Sequence, residues 1–241
     1  AAGLSLLLLR GAAGGISVRT VALGAVTGAD YVLGFLILMA GIARGPLAVP
    51  VTVMRLSVAV PVAASIFLWS ESPRPAQWAG LAAGIAAIVL FGLGIGRGRG
   101  RSAGAGFLWL MAAMFMVMGL GDVLLKAFRE TAPDSQRLLF TFILFGSAAL
   151  FTWLLILAGR RRISRPTVLL GLLLGLPNLL STVFTLLALR SVPASIAFPF
   201  INLAVIFGST ILGRAVWRER LGRTAAAGLA AAALALVLLR L

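Results

Sequence analysis

The chain of 241 residues contains no cysteine and no histidine. The first absence excludes disulfides and thiol nucleophiles. The second removes imidazole bases and most zinc and haem sites. Acid is scarce as well, with six Asp and Glu against 21 Lys and Arg, so carboxylate chemistry has little to draw on. No GxxxxGK[ST] loop is present, and the chain therefore does not drive itself by nucleotide hydrolysis. No Asp-rich DxxxD cluster offers a metal–diphosphate site of the kind a membrane-embedded lipid-modifying transferase needs. These absences argue against an enzyme, and no cofactor or metal is expected.

What the chain does have is hydrophobe. Hydrophobic residues make up 61% of it and charged residues 11%, a balance that a soluble domain of this size does not sustain. Many apolar runs reach about 18 residues, the length that crosses a hydrocarbon core of about 30 Å at about 1.5 Å per residue. The expected class is an all-α, multi-pass membrane protein. The runs read as 1–9, 18–43, 46–70, 76–96, 104–126, 138–158, 166–189, 193–217 and 223–240, separated by Arg, Pro and Gly. The net charge of +15 sits in the short turns between runs. There it meets anionic headgroups rather than nucleic acid. The first run is too short to cross and begins with Ala, as if the chain starts inside a helix. No charged segment of a signal peptide precedes it.

One phrase occurs twice. Trp69 and Trp217 are 148 residues apart, as are Glu71 and Glu219, and "AGLAAGIAAIVL" (79–90) aligns with "AGLAAAALALVL" (227–238). At an offset of 147, Gly24, Gly28 and Pro46 find Gly171, Gly175 and Pro193, and a one-residue gap brings Asp30 onto Asn178. Three successive spans thus repeat in order. Five spans separate each element from its copy, and an odd number of crossings reverses direction. The expected architecture is a helical bundle of two inverted repeats, the arrangement of many secondary transporters. The first repeat occupies 1–98 and the second 102–241. Measured against the second, the first lacks about 45 residues at its front, one helix and half of the next.

With "VAVPVAASIFLWSESPRPAQWAGLAAGIAAIVL" (58–90) and "AFPFINLAVIFGSTILGRAVWRERLGRTAAAGLAAAALALVL" (197–238), the chain resembles the drug/metabolite transporter superfamily, and within it the EamA-type permeases. The resemblance covers nearly the whole chain. It implies a ten-helix transporter fold, of which about eight full helices and a stub are present. It also implies a central cavity ringed by the first four and the sixth to ninth helices, with the fifth and tenth outside. The runs 79–95 and 225–239 agree, having no polar side chain. The basic loops "RGRGR" (97–101) and "RRRISR" (160–165) depart from the family topology, which would place them outside the cell, so orientation stays open.

Candidate substrate-binding residues follow from polar groups inside the spans. Arg55 lies nine residues after Pro46 and sixteen before Glu71, deep enough that it should face a cavity or a partner. Asp30, with Tyr31 beside it, lies in the preceding span at a comparable depth. Asp30 and Arg55 read either as a cavity charge pair contacting substrate or protons, or as a structural ion pair between helices. Asn178, Ser181, Thr182 and Thr185 share one face of "GLPNLLSTVFTLLAL" (175–189). Asn202 adds a polar group to the next span. These five form either a hydrogen-bonding wall for a polar substrate or interhelical glue. Asp122 and Lys126, one turn apart, are read as a local pair at the interface or as a gate. Met111, Met114 and Met118 form a stripe for packing or for an adaptable lining. Glu71 and Glu219 are read as interfacial structure, and Pro50, Pro61 and Pro199 as kinks. Gly80 and Gly84 give GxxxG, for packing within the monomer or for a homodimer.

The function expected is a secondary transporter, a permease or exporter of small metabolites or drugs working by alternating access. Its setting is the plasma or inner membrane, and its partners are a small-molecule substrate and membrane lipids. The alternatives are a membrane scaffold or lipid-flipping subunit and, after these, a membrane-embedded enzyme.

Overall fold

A computed structural model describes residues 16–44, 48–95, 105–160, 164–217 and 223–240, and these are helical nearly throughout. In chain order the helices are α1 (Val18–Arg44), α2 (Ala48–Leu56), α3 (Ala59–Trp69), α4 (Pro75–Ile95), α5 (Ala105–Thr131), α6 (Arg137–Ala158), α7 (Arg165–Ala188), α8 (Ala194–Trp217) and α9 (Arg223–Arg240). A short 3₁₀ turn, Asp134–Gln136, precedes α6. Among the described residues, five segments are long and apolar enough to cross a membrane, α2 and α3 counting together as one. The protein is an all-α, multi-pass membrane protein, as its composition requires. The run 1–9 and Glu219 lie outside the described residues.

Among the described residues the expected runs from 18 onward are helical, with two differences. Residues 46–70 do not form one helix but two, interrupted at Ser57–Val58. And α5 runs on to Thr131, past the expected end at 126. There Lys126 meets Glu130 one turn on, at 2.5 Å, so charge ends the apolar run while the helix continues.

The chain divides into two compact units that do not follow the sequence halves: Ala1–Leu33 with Leu124–Ser191, and Gly34–Val123 with Val192–Leu241. Helices α1 and α5 contribute to both. The first unit is built around Leu125, Phe128, Phe140, Leu144 and Leu186, where Phe128 and Phe140 stack at 4.0 Å. Helix α1 presses on α6 through glycine. A Cβ at Gly28 would collide with the Ser147 hydroxyl and the Leu144 carbonyl, so only Gly permits the approach. At one end of this unit Gln136 is buried. Its Oε1 accepts from the Thr20 hydroxyl at 2.7 Å and the Ser17 amide at 3.3 Å. Asp134 pairs there with Arg190 and Arg137. With Gln136 and Thr20 out of water, their mutual hydrogen bond replaces the water each has lost.

In the second unit α9 lies along α4 and also touches α8, while α3 packs on α8. Gly80 and Gly84 are used within the chain: a Cβ at Gly80 would sit 3.0 Å from the Leu239 amide, and one at Gly84 would sit 3.2 Å from Leu203 and 3.9 Å from Ala235. As the number rises on α4 it falls on α9, so the two helices run antiparallel. The methionine stripe packs on α1. Met114 is wholly buried, and Met118 and Met111 lie against Gly34 and Gly41.

Candidate functional site

The break between α2 and α3 follows from Pro61. Proline has no N–H for the carbonyl four residues back, and its ring crowds that carbonyl. That carbonyl belongs to Ser57. It turns instead to the Val60 amide at 2.9 Å, a tighter turn than the α-helix, and the Ser57 hydroxyl donates to the Met54 carbonyl at 2.7 Å. Irregular backbone at membrane depth is tolerated only where protein buries it or where it lines a polar space. Ser57 and Val58 are indeed buried. Gly119 of α5 closes on this point, since a Cβ there would lie 2.8 Å from the Ser57 carbonyl.

Arg55 stands two residues before the break, in the segment Val49–Trp69. It is half-buried, and about 9 Å inside that segment at about 1.5 Å per residue. A cation on a spanning helix costs at least about 2.5 kcal/mol if it faces lipid. Arg55 instead donates from Nη1 to Oδ1 of Asn202 at 3.3 Å. Asn202 is itself oriented, because its Nδ2 donates to the Phe198 carbonyl at 3.2 Å. The two residues are 147 apart, the offset that superposes the sequence repeat on itself. Sequence reasoning named both without pairing them, although the offset already linked them.

The remaining candidates belong to the first unit. Asp30 is buried on α1. Tyr31 meets Phe145 edge-on, with centroids 6.4 Å apart. On α7, Asn178 and Thr185 are half-buried, Thr182 is buried and Ser181 is exposed. The Thr182 hydroxyl donates to the Asn178 carbonyl at 3.1 Å, so it is spent on its own helix. The structure thus brings together Arg55 and Asn202 in one unit, and Asn178 and Thr182 in the other.

Two features of the second unit were not read from sequence. The Glu71 carboxylate caps α8, accepting from the Ala194 amide at 3.0 Å and the Ser195 amide at 2.8 Å. A helix N-terminus offers unpaired N–H groups and a partial positive charge, which a carboxylate satisfies. The interfacial role read for Glu71 is therefore specific: it ties the end of α3 to the start of α8. Second, a cavity of 310 Å³ opens between α3, α4 and α8, lined by apolar groups that include Val62, Ile66, Trp78, Ile85, Pro199 and Leu203. It offers no polar contact to orient a ligand and suits hydrocarbon.

The model of the EamA-like transporter family matches residues 104–241, more than half of the chain, and the chain belongs to that family. A protein solved by crystallography shares the fold over 99% of this chain and 96% of its own, with a TM-score of 0.71 at 17% sequence identity. No curated protein matches.

Proposed function

We propose that this EamA-like protein is a secondary transporter that moves a small metabolite or drug by alternating access between two inverted halves, with Arg55 and Asn202 in its substrate site. The observation that carries the reading is the Arg55–Asn202 hydrogen bond. Residues at equivalent positions in two copies touch only beside the axis that relates the copies. Helices α4 and α9, also repeat counterparts, run antiparallel, which is the relation of an axis in the membrane plane rather than along its normal. Transporters of this design bind substrate near such an axis, at discontinuous helices, and the interruption beside Arg55 is one.

Asp30, Tyr31, Asn178, Ser181, Thr182 and Thr185 are proposed as further polar contacts along the transport route. Asp30, a buried acid in a spanning helix, is the candidate for proton coupling. The setting is the plasma or inner membrane, and the driving force a proton or substrate gradient.

The test is counterflow. Purified protein is reconstituted into liposomes preloaded with a pooled extract of small metabolites, and the exchange of labelled extract components is followed by mass spectrometry. Exchange that is lost at least tenfold in Arg55→Gln liposomes, at equal protein incorporation, supports the proposal. Absence of exchange by the wild type removes the transporter reading in favour of a scaffold. Exchange indifferent to Arg55 removes the site.

A further inference from the structure

Arg55 meets an amide rather than an acid. Among the described residues of its own unit no carboxylate pairs with it, and its hydrogen-bond partner is the neutral amide of Asn202. Glu71, an acid of the same unit, is engaged with the amides of Ala194 and Ser195. The Asn202 amide oxygen accepts a hydrogen bond from the guanidinium but carries no net negative charge. The desolvation of a cation in a membrane span is therefore only partly offset. The geometry is nonetheless held: Asn202 fixes one guanidinium nitrogen and is fixed in turn by the Phe198 carbonyl. The remaining N–H donors form a planar fork, the shape that grips a carboxylate or a phosphate through two parallel bonds. Asn202 acts here as a positioning residue and Arg55 as the binding one.

We infer that the transported molecule carries a carboxylate or phosphate group, and that Arg55 is the group that binds it. The inference rests on the transporter reading, since it names the substrate class of that same site. An anion arriving with the substrate supplies the charge that the Asn202 amide does not. An uncharged or purely cationic substrate would leave Arg55 unmatched or repelled.

The experiment is thermal unfolding of the purified full chain in detergent, with sodium acetate, sodium phosphate and choline chloride added in turn at equal ionic strength. A ligand that binds only the folded state raises the Tm. The expected result is a rise with acetate or phosphate beyond that with choline chloride, abolished in Arg55→Gln and at least partly kept in Arg55→Lys. The lysine variant, which keeps the charge, guards against a glutamine variant that fails to fold. A second arm replaces the soluble anions with phosphatidylglycerol. An Arg55-dependent rise with that lipid alone assigns the anion to a headgroup and overturns the inference. So does a rise of the same size in Arg55→Gln, or no rise at all. The two readings fail separately. Liposomes that exchange only uncharged or cationic compounds leave a transporter and sink the anion. An intact Arg55-dependent rise without any exchange keeps an anion site and sinks the transporter.

Discussion

The segments 48–69 and 194–217, which the sequence aligns with one another, differ in continuity: the first is interrupted and the second is not. Helix α8 runs from Ala194 to Trp217 without a break, whereas its counterpart stops at Leu56 and resumes at Ala59. At the offset of 147, Pro61 stands opposite Gly208 and Arg55 opposite Asn202. Each copy has an early proline of its own, Pro50 in one and Pro199 in the other, so proline alone is not the difference. Pro199 also lies inside its helix, beyond the first turn, yet α8 continues through it. Pro61 falls mid-span and takes the donor away from Ser57. The copy that carries the cation is the copy that breaks.

Imposing the break on the intact copy should have the largest effect. In Gly208→Pro the space beside the backbone is open, since nothing lies within 4 Å of a Cβ there, so the cost is the lost hydrogen bond and ring clash, about 3 kcal/mol or more. A marked fall in Tm in detergent is expected. An unchanged Tm would mean that α8 tolerates the interruption as its copy does, and the contrast would lose its meaning.

The Glu71 cap should come next. Glu71→Ala leaves the Ala194 and Ser195 amides without their acceptor, at a cost of about 1–2 kcal/mol. The repeat sharpens this: Leu47 and Ala48 stand where Ala194 and Ser195 stand, and Glu219 where Glu71 stands. Equal losses of Tm in Glu71→Ala and Glu219→Ala would show that both copies are capped alike, and a loss confined to Glu71 would limit the device to one half. The smallest stability effect belongs to Pro61→Ala. It returns a donor to Ser57, and its net change should stay within about 1 kcal/mol. Counterflow should nevertheless fall, because a continuous helix re-aims Arg55. Full counterflow with a healed helix would separate the break from transport.

Much of this was legible in the sequence. Spans 138–158, 166–189 and 193–217 match α6, α7 and α8 to within a residue or so, because apolar runs of that length have little choice in a bilayer. The overlong α5 was not legible: hydropathy ends at Lys126, but the backbone bonds continue to Thr131. Pro61 was legible as a kink. That it breaks the helix depends on where the Ser57 carbonyl turns, which composition does not encode. The site was half legible. Depth and polarity singled out Arg55 and Asn202, yet counting residues from the intervening turn matched Arg55 with Asp30. Within its own unit Arg55 donates to Asn202, 147 residues further on. The Glu71 cap had no sequence signal beyond a carboxylate at a helix end, because its partners lie 123 and 124 residues away.

The central claim is that the two halves are inverted, and the absence of cysteine makes its test direct. Ser72→Cys and Arg220→Cys place single thiols at repeat-equivalent turns, 148 residues apart and separated by five spans. Each variant is expressed in cells and treated with a membrane-impermeant maleimide, before and after the membrane is permeabilised. Inverted halves put these turns on opposite faces, so one thiol reacts in intact cells and the other only after permeabilisation. Labelling of both from the same side would contradict the inversion, and with it the axis that places Arg55 and Asn202 in the substrate site.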